Sequence, residues 1–297
     1  MSAVRDAVLL LIAKLPSLAS RFISIGDVAG FLSVLFFAIL IDRTRKQDTS
    51  RYARRAFRVD LTYAFFYLFG IYTLFVGLPL FRFLTRIFDS LFHGLALPLG
   101  TLPVALQVLI GVVAVDLFSY GWHRTVHTNR FLWPFHSIHH AQQYLTVSTG
   151  FRTHFVDEIV RTTFVFVPLY FLGIRPHTFL AVDLVVNWIL GLQHSDLPWS
   201  YGALGHWIVS PRYHRLHHSL DPIDRDKNFA VLFPFWDRLF GTRMIDVSRP
   251  LRYGVDGGEY PESFLRQLAW PFILLGRQVK ERQSYGIDLS SSHEADR

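Results

Sequence analysis

The chain of 297 residues contains no cysteine. Disulfides, iron–sulfur clusters and thiolate-bound metal are therefore excluded within this chain. Flavin fingerprints and haem-attachment motifs are also missing from the sequence. The soft metal ligands that remain are the imidazoles of 14 histidines. A transition-metal site in this chain must therefore be built mainly from histidine.

Charged residues are scarce, at 18% of the chain, whereas hydrophobic residues make up 51% and include 28 phenylalanines. This balance and the long apolar stretches favour a membrane protein over a soluble domain. The formal net charge of +7 raises the alternative of nucleic-acid binding. Because the basic residues flank apolar segments instead of forming one patch, we expect them to face lipid headgroups, and we predict no nucleic-acid partner.

Hydropathy predicts three membrane spans before the first histidine cluster, after an apolar N-terminal helix over residues 3–20. A strongly basic loop over residues 43–58 follows the first span and is predicted to be cytoplasmic. By parity, the third span ends at the cytoplasmic side, directly before His123. The predicted spans are 22–41, 59–81 and 102–121, with a Gly/Pro-containing connection over 82–101.

Two shorter apolar stretches, 164–174 and 179–192, are separated by Arg175-Pro176 and predict a helical hairpin that returns to the same side. The more polar chain from about residue 199 predicts a cytoplasmic cap, and residues 264–275 predict a segment on the membrane surface or packed on that cap. The predicted fold is an all-α integral membrane bundle with a helical cytoplasmic cap that carries the histidine clusters. Its predicted divisions are 1–101 (membrane helices and basic loop), 102–245 (histidine-box domain) and 246–297 (C-terminal tail).

The pattern HxxHH occurs twice, as HSIHH (136–140) and HRLHH (214–218), and HRTVH (123–127) precedes the first copy. Spacings of three and four place such histidines on one face of a helix. Pro134 and the pair Ser210-Pro211 predict helix starts just before the two triplets. Eight imidazoles exceed the four to six ligands of one ion, so the sequence predicts two metal ions. The candidate ligands in the clusters are His123, His127, His136, His139, His140, His214, His217 and His218.

Several polar residues outside the clusters are further candidates. His194 ends the predicted hairpin and is a ninth candidate ligand, with Asn187 or Asp183 as a supporting or water-mediated partner. Asp116 is predicted to orient a ligating imidazole, or else to pair with an arginine. His154 is ambiguous between a ligand and a structural or substrate-lining residue.

Composition and spacing do not choose the metal, because imidazole suits zinc, copper, iron and nickel alike. A membrane metal transporter or metal-binding protein is the alternative to an enzyme. A transporter would place its ligands near the middle of the bilayer, whereas these histidines are predicted at the cytoplasmic ends of the helices.

These motifs resemble the fatty acid hydroxylase/sterol desaturase superfamily of membrane enzymes. The matching segments, in order, are DLFSYGWHRTVH (116–127), HSIHH (136–140), RTHFVD (152–157), HRLHH (214–218) and NFAVLFPFWDRLFGT (228–242). The chain departs from the family pattern at Phe155, where proline is usual, and at Asp157, where glutamate is usual. Leu190 stands one turn before His194, where related members have a second histidine, so the resemblance implies nine ligands, with water completing the set.

The resemblance implies two iron ions, O₂ as co-substrate, and hydroxylation or desaturation of a membrane lipid; zinc can substitute for iron in a purified protein. It also implies an external electron donor, either a cytochrome b5-like protein or a ferredoxin with its reductase. The basic residues Arg212, Arg215, Arg225 and Lys227 are candidates for docking an acidic donor, or for contacting headgroups. Sterol, fatty acyl chain, sphingoid base, alkylglycerol ether and carotenoid all remain open as substrates.

Overall fold

The computed structural model describes residues 32–43 (except 34, 38 and 42), 49–174, 186, 189–245, 249–256 and 260–284. In these ranges the longer elements are eight helices: α1 Arg55–Leu68, α2 Leu78–Phe92, α3 Val104–Thr128, α4 Trp133–His140, α5 Phe155–Leu172, α6 Pro211–His217, α7 Phe235–Leu239 and α8 Phe264–Ser284. Short 3-10 turns lie at Thr49–Ala53, Pro98–Thr101, Val147–Phe151, Gly202–His206 and Pro222–Asp224, and one π turn at Thr73–Gly77. The predicted all-α class is confirmed for this part of the chain.

Helix α3 carries the first histidine cluster. It is 25 residues long with a mean hydropathy of 1.9 in its most apolar stretch, and in the described part of the chain it alone is long and apolar enough to cross a membrane. Only 28% of that stretch is buried, so most of its apolar surface is available to lipid. The predicted third span is confirmed as a long apolar helix, and it continues beyond residue 121 to include His123 and His127.

The predicted second span over 59–81 is wrong as one continuous helix. Helix α1 ends at Leu68, and Gly70 takes a left-handed conformation with φ of 65°. A π turn follows before α2 begins at Leu78. Averaged hydropathy conceals this break, because Gly70 interrupts the helix by its backbone conformation and not by its polarity. The predicted connection over 82–101 is consequently helical up to Phe92.

Helices α3 and α5 run antiparallel and form the wall behind the histidines. At one end the Trp122 indole donates a hydrogen bond to Asp157 at the start of α5 (3.0 Å). At the other end the Leu97 amide, ahead of α3, donates to the Phe171 carbonyl (2.7 Å). Gly100 lies so close to the end of α5 that a Cβ there would be 2.5 Å from the Gly173 carbonyl oxygen, which explains the need for glycine.

Helix α8 packs against α1 and α4 on the other side of the histidine clusters. Tyr63 and Ile138 are fully buried, and Phe264 and Trp270 of α8 pack on the cluster that contains them. Residues 264–275 therefore pack on α1 and α4, which precede the predicted cap in sequence, and the two predicted locations, on the membrane surface or on the cap, stay predictions. Residues 3–20, 175–185 and most of 22–41 lie outside the described residues, so the N-terminal helix, the first span and the hairpin turn stay predictions.

Candidate metal centre

All nine candidate histidines converge in two adjacent groups. Within each group one ring nitrogen per residue lies within 4.8 Å of the others. The first group is His123, His127, His136, His140 and His217; the second is His139, His194, His214 and His218. Each HxxHH triplet contributes histidines to both groups, so the two groups must lie next to each other.

Helix ends and turns hold these side chains in place. His123 and His127 lie one turn apart at the C-terminal end of α3, and α4 carries the next triplet with Pro134 in its first turn. At α6 the Ser210 hydroxyl accepts a hydrogen bond from the Tyr213 amide (3.2 Å), and Pro211 is the first helical residue. The helix starts predicted from these prolines and from Ser210 are confirmed.

Hydrogen bonds from Nδ1 fix the orientation of five rings. Each of these nitrogens faces an oxygen, so Nδ1 carries the proton and a neutral ring keeps its lone pair on Nε2. The pairs are His123 with the Phe229 carbonyl (2.7 Å), His136 with Asp157 (2.8 Å), His139 with the Arg152 carbonyl (3.2 Å), His194 with the Leu190 carbonyl (2.7 Å) and His217 with the Lys227 carbonyl (2.9 Å). Carbonyl and carboxylate partners of this kind orient metal-bound histidines in proteins.

In the first group the inward-facing nitrogens are buried without hydrogen-bond partners. This holds for Nε2 of His127, His136, His140 and His217. Unpaired buried polar atoms are costly, and several of them aimed at one point need a shared partner. A metal ion bound by their lone pairs would supply that partner.

In the second group, short distances between Nε2 atoms also indicate that a shared partner is needed. Nε2 of His194 lies 3.0 Å from Nε2 of His139 and 2.9 Å from Nε2 of His214. Because His139 and His194 both donate through Nδ1, their Nε2 lone pairs face each other and repel. Two ligands at right angles, each about 2.1 Å from one ion, lie about 3.0 Å apart. The donor set therefore fits a metal ion in this group as well.

Burial favours the neutral form of six of these histidines, and the neutral imidazole is the form that binds metal. The pKa values of four of them lie well below the usual value of 6.5. The main cause is burial, and the second is repulsion by the neighbouring imidazoles; the four are His139, His140, His214 and His218. Burial lowers the pKa of His194 to about 4 and that of His217 to about 3.

A buried ion pair supports the loop that holds His139. Arg152 donates to Asp60 (2.8 Å) and to the Ile138 carbonyl (2.8 Å), while its own carbonyl accepts from His139. Gln142 donates to the other Asp60 oxygen (2.7 Å). Both charged side chains are almost fully buried, at 3% and 0% exposed, so α1 and α4 are tied to each other beside the site.

Sequence reasoning did not find the role of Asp157. It accepts hydrogen bonds from His136 and from the Trp122 indole, and so links two ligand-bearing helices. Its position in the first turn of α5, as the last residue of the RTHFVD segment (152–157), was the available signal. The Phe229, Lys227 and Arg152 carbonyls also support histidines, and no side-chain pattern marks a carbonyl.

The prediction that Asp116 orients an imidazole is wrong. Its carboxylate accepts from the Leu232 and Phe233 amides (2.8 and 3.0 Å) and from the Trp236 indole (2.8 Å). It therefore holds the turn that follows Phe229, whose carbonyl in turn supports His123. The carboxylate was predicted to act on a ring because it lies two turns before one, but the backbone amides of this turn lie nearer.

The ligand interpretation of His154 is also wrong. Its Nδ1 accepts from the Val156 amide (3.1 Å) and its Nε2 donates to the Leu268 carbonyl (3.0 Å). Both ring nitrogens are thus engaged, in capping α5 and in holding α8, and the residue lies in neither group. Asp183 and Asn187 lie outside the described residues.

An open cavity with a volume of about 120 Å³ adjoins both groups. His123 and His136 of the first group, and His139, His194 and His214 of the second, reach its wall. The remaining wall is largely apolar and includes Tyr67, Phe151, Leu190 and Val231. In the described part of the chain, the fold and the site together define an all-α, histidine-rich protein with an apolar cavity beside two candidate metal positions.

Comparison with known proteins identifies a similar family. Residues 108–242 match the family model for fatty acid hydroxylase. The resemblance to the fatty acid hydroxylase/sterol desaturase superfamily is thereby confirmed. No solved structure matches the chain.

Three curated relatives illustrate the range of the superfamily. The chain is 34% identical to an ornithine lipid hydroxylase of Rhizobium tropici over 177 residues, which cover 59% of this chain and 53% of the relative. It is 33% identical to an alkylglycerol monooxygenase of Danio rerio over 156 residues (51% and 33%), and 30% identical to a cholesterol 25-hydroxylase of Rattus norvegicus over 179 residues (54% and 56%). The matches thus span about half of these relatives or less.

Proposed function

We propose that this chain is a membrane di-iron enzyme that uses O₂ to hydroxylate or desaturate a lipid. His123, His127, His136, His140 and His217 hold one ion, and His139, His194, His214 and His218 hold the other. The convergence of unpaired imidazole nitrogens beside an apolar cavity is the observation that carries this proposal. The curated relatives support it, because their names describe them as lipid hydroxylases and monooxygenases.

In this proposal, some residues hold and orient the metal ligands, and others bind the lipid. When bound, the iron pair supplies the activation of O₂ for oxidation of an unreactive C–H bond. The carbonyls and Asp157 keep the histidine rings aligned, and the apolar wall excludes water and seats a lipid carbon near the ions. Zinc can occupy the same nitrogens in a purified protein, since imidazole binds both metals.

We further propose that the centre lies at the cytoplasmic face of a multi-pass protein. The histidines are at the C-terminal end of α3, the helix long enough to cross the bilayer. Arg51 of the basic loop pairs with Asp196 (3.2 Å), two residues after His194, so the loop and the centre lie at the same end. The positive-inside rule assigns such a loop to the cytoplasm.

An external carrier, cytochrome b5-like or a ferredoxin with its reductase, is proposed to supply electrons. Of the basic residues considered for docking it, Arg215 pairs with Asp196 (2.6 Å) and Arg225 with Asp256 (2.5 Å). These acids offset part of the positive charge of the two arginines. The proposed docking surface for the carrier is therefore the predicted cytoplasmic cap as a whole, and not these two arginines alone. Reduction of the purified protein by each carrier class would discriminate between them.

The metal-transporter alternative has less support. A transporter needs its ligands near the middle of the bilayer with access from both sides. Here the histidines collect at one end of α3, and eight of the nine are almost completely buried. Metal flux into proteoliposomes without O₂ consumption would favour the alternative.

Metal analysis and lipid profiling test the proposal together. Membranes from cells that express the wild-type chain should contain lipids that have gained one oxygen atom or lost two hydrogens. His140→Ala and His218→Ala each remove one ligand, from the first and second group respectively, and should abolish that product and lower the bound iron. His206→Ala is the matched control, because His206 is exposed and lies in neither group. An unchanged product yield in both ligand variants would refute the assignment.

A further inference from the structure

A charged pair lies in the wall of the cavity that adjoins the histidines. The Arg161 guanidinium donates two hydrogen bonds to the Glu158 carboxylate, at 2.9 and 2.6 Å. The glutamate side chain is 10% exposed and the arginine side chain 34%. Both residues line the same cavity as His139, His194 and His214. A ligand that fills this cavity therefore lies beside both the pair and these histidines.

The pair sits at membrane depth in the proposed arrangement. Helix α5 runs antiparallel to α3, and Arg161 is the seventh residue of α5, about 9 Å along its axis from the first. Ser119, one turn before His123 on α3, lines the same cavity. Charged groups at such depth are costly and generally mark a functional pathway.

The Glu158–Arg161 ion pair itself lies within one helix. Glu158 and Arg161 are three positions apart on one helix, so their ion pair joins no two elements. Helical pairs of this spacing contribute little to stability. Asp157, the neighbouring acid, differs in that it connects α3, α4 and α5 through Trp122 and His136.

We propose that Glu158 and Arg161 select lipids whose polar group is uncharged and both donates and accepts hydrogen bonds, such as a hydroxyl or an amide. The carboxylate accepts from such a group and the guanidinium donates to it. A fatty-acid carboxylate would meet the Glu158 charge, and an alkylammonium would meet the Arg161 charge. This inference rests on the proposed function, the oxidation of a lipid. Because the pair and the histidines line one cavity, the oxidised carbon should lie close to the polar end of the lipid.

Binding of three lipids with the same chain length tests this selection without turnover. The probes are 1-O-hexadecylglycerol (uncharged diol), hexadecanoate (anion) and hexadecylammonium (cation), titrated into the full chain in neutral nanodiscs. The wild type should bind the diol at least about tenfold more tightly than either charged lipid, a ratio that corresponds to ~1.4 kcal/mol. Equal affinities for the three lipids in the wild type would overturn the proposal.

Two variants and one control sharpen the result. Glu158→Gln keeps the shape of the side chain and should raise hexadecanoate affinity about tenfold, whereas Arg161→Gln should do the same for hexadecylammonium. Thr163→Val is the control, because this hydroxyl bonds the Ile159 carbonyl of its own helix and lies outside the cavity. A control that changes the order of affinities as strongly as the two variants would also overturn the proposal.

The binding experiment and the product analysis test the lipid selection and the proposed function independently. If the diol is preferred but no oxidised lipid forms, the selection stands and the proposed function is wrong. If oxidised lipids form while the three probes bind equally, the function stands and the selection is wrong. Where an oxidised product is found, fragmentation mass spectrometry should place the new oxygen or double bond within a few carbons of the polar group; a change at the far end of the chain would contradict the inference.

Discussion

Gly150→Ala should remove one metal ion from the centre although no ligand residue is replaced. Gly150 lies in the Val147–Phe151 turn, next to the ring of His194. A Cβ at this position would lie 2.9 Å from Nδ1, 3.4 Å from Cγ and 3.5 Å from Cε1 of that ring. The first distance is about 0.5 Å shorter than an ordinary van der Waals contact, so either the ring or the turn has to move.

The ring has little freedom to move and keep its role. Its Nδ1 donates to the Leu190 carbonyl (2.7 Å), and its Nε2 lies 2.9 Å from Nε2 of His214. A displacement of a few tenths of an ångström therefore strains the hydrogen bond or the ligand geometry. Since the second group has four ligands, we expect its metal affinity to fall roughly 10- to 100-fold, as for changes that misorient a ligating histidine.

Metal counting by plasma mass spectrometry tests this expectation independently of substrate. The wild type should hold two ions per chain, and Gly150→Ala should hold one after dialysis against a weak chelator. Gly276→Ala is the matched control, because Gly276 is helical and a Cβ there meets nothing within 4 Å. If Gly150→Ala retains both ions and full activity, the assignment of His194 to the second ion is refuted.

Three further predictions concern the supports of the site. Asp157→Asn removes the charge that orients His136 and should weaken metal binding at the first group roughly 10- to 100-fold, measured by chelator competition; unchanged affinity would contradict a supporting role. Asp116→Ala leaves the Leu232 and Phe233 amides and the Trp236 indole without their acceptor, so the free energy of unfolding should drop by about 2 kcal/mol or more in thermal denaturation, with a neutral result contradicting the assigned contacts. Acid should release the metal: the folded protein lowers the pKa of His194 to about 4 and of His217 to about 3, whereas unfolded histidine titrates near 6.5, so both metal binding and stability are complete above pH 6.5 and decline as pH falls toward those folded values. Metal retention that is constant from pH 7 to about 4 would argue against neutral imidazole ligands.

The ligand candidates could be predicted because their signal is local. Spacings of three and four residues on a helix determine which side chains share a face, and Pro134 and Pro211 mark where the helices begin. The bringing together of four separate segments was inferred from membrane parity, and the nine side chains do collect in two groups. Their role as metal ligands stays a proposal until metal is measured.

The supports of the ligands could not be predicted in the same way. Four of the five Nδ1 partners are backbone carbonyls, which every residue possesses, and three of these four lie outside the ligand's own segment. Asp116 shows the opposite error, in which a support was predicted that does not exist. Its carboxylate is near a histidine in sequence, but in the structure it accepts hydrogen bonds from backbone amides. Gly70 shows why residues 59–81 do not form one continuous helix: hydropathy measures polarity and does not detect a left-handed residue.

The Asp60–Arg152 contact has a consequence for how this family segment can be transplanted. The matched segment begins at residue 108, yet Arg152 within it depends on a carboxylate from α1, outside it. A fragment cut at the segment boundaries would leave a guanidinium in the interior with no counter-charge, and α4 would lose the cover of α8. Chimaeras that exchange substrate cavities between relatives should therefore carry the flanking helices as part of the exchanged piece, and those spliced at residues 108 and 242 should fail to accumulate in membranes.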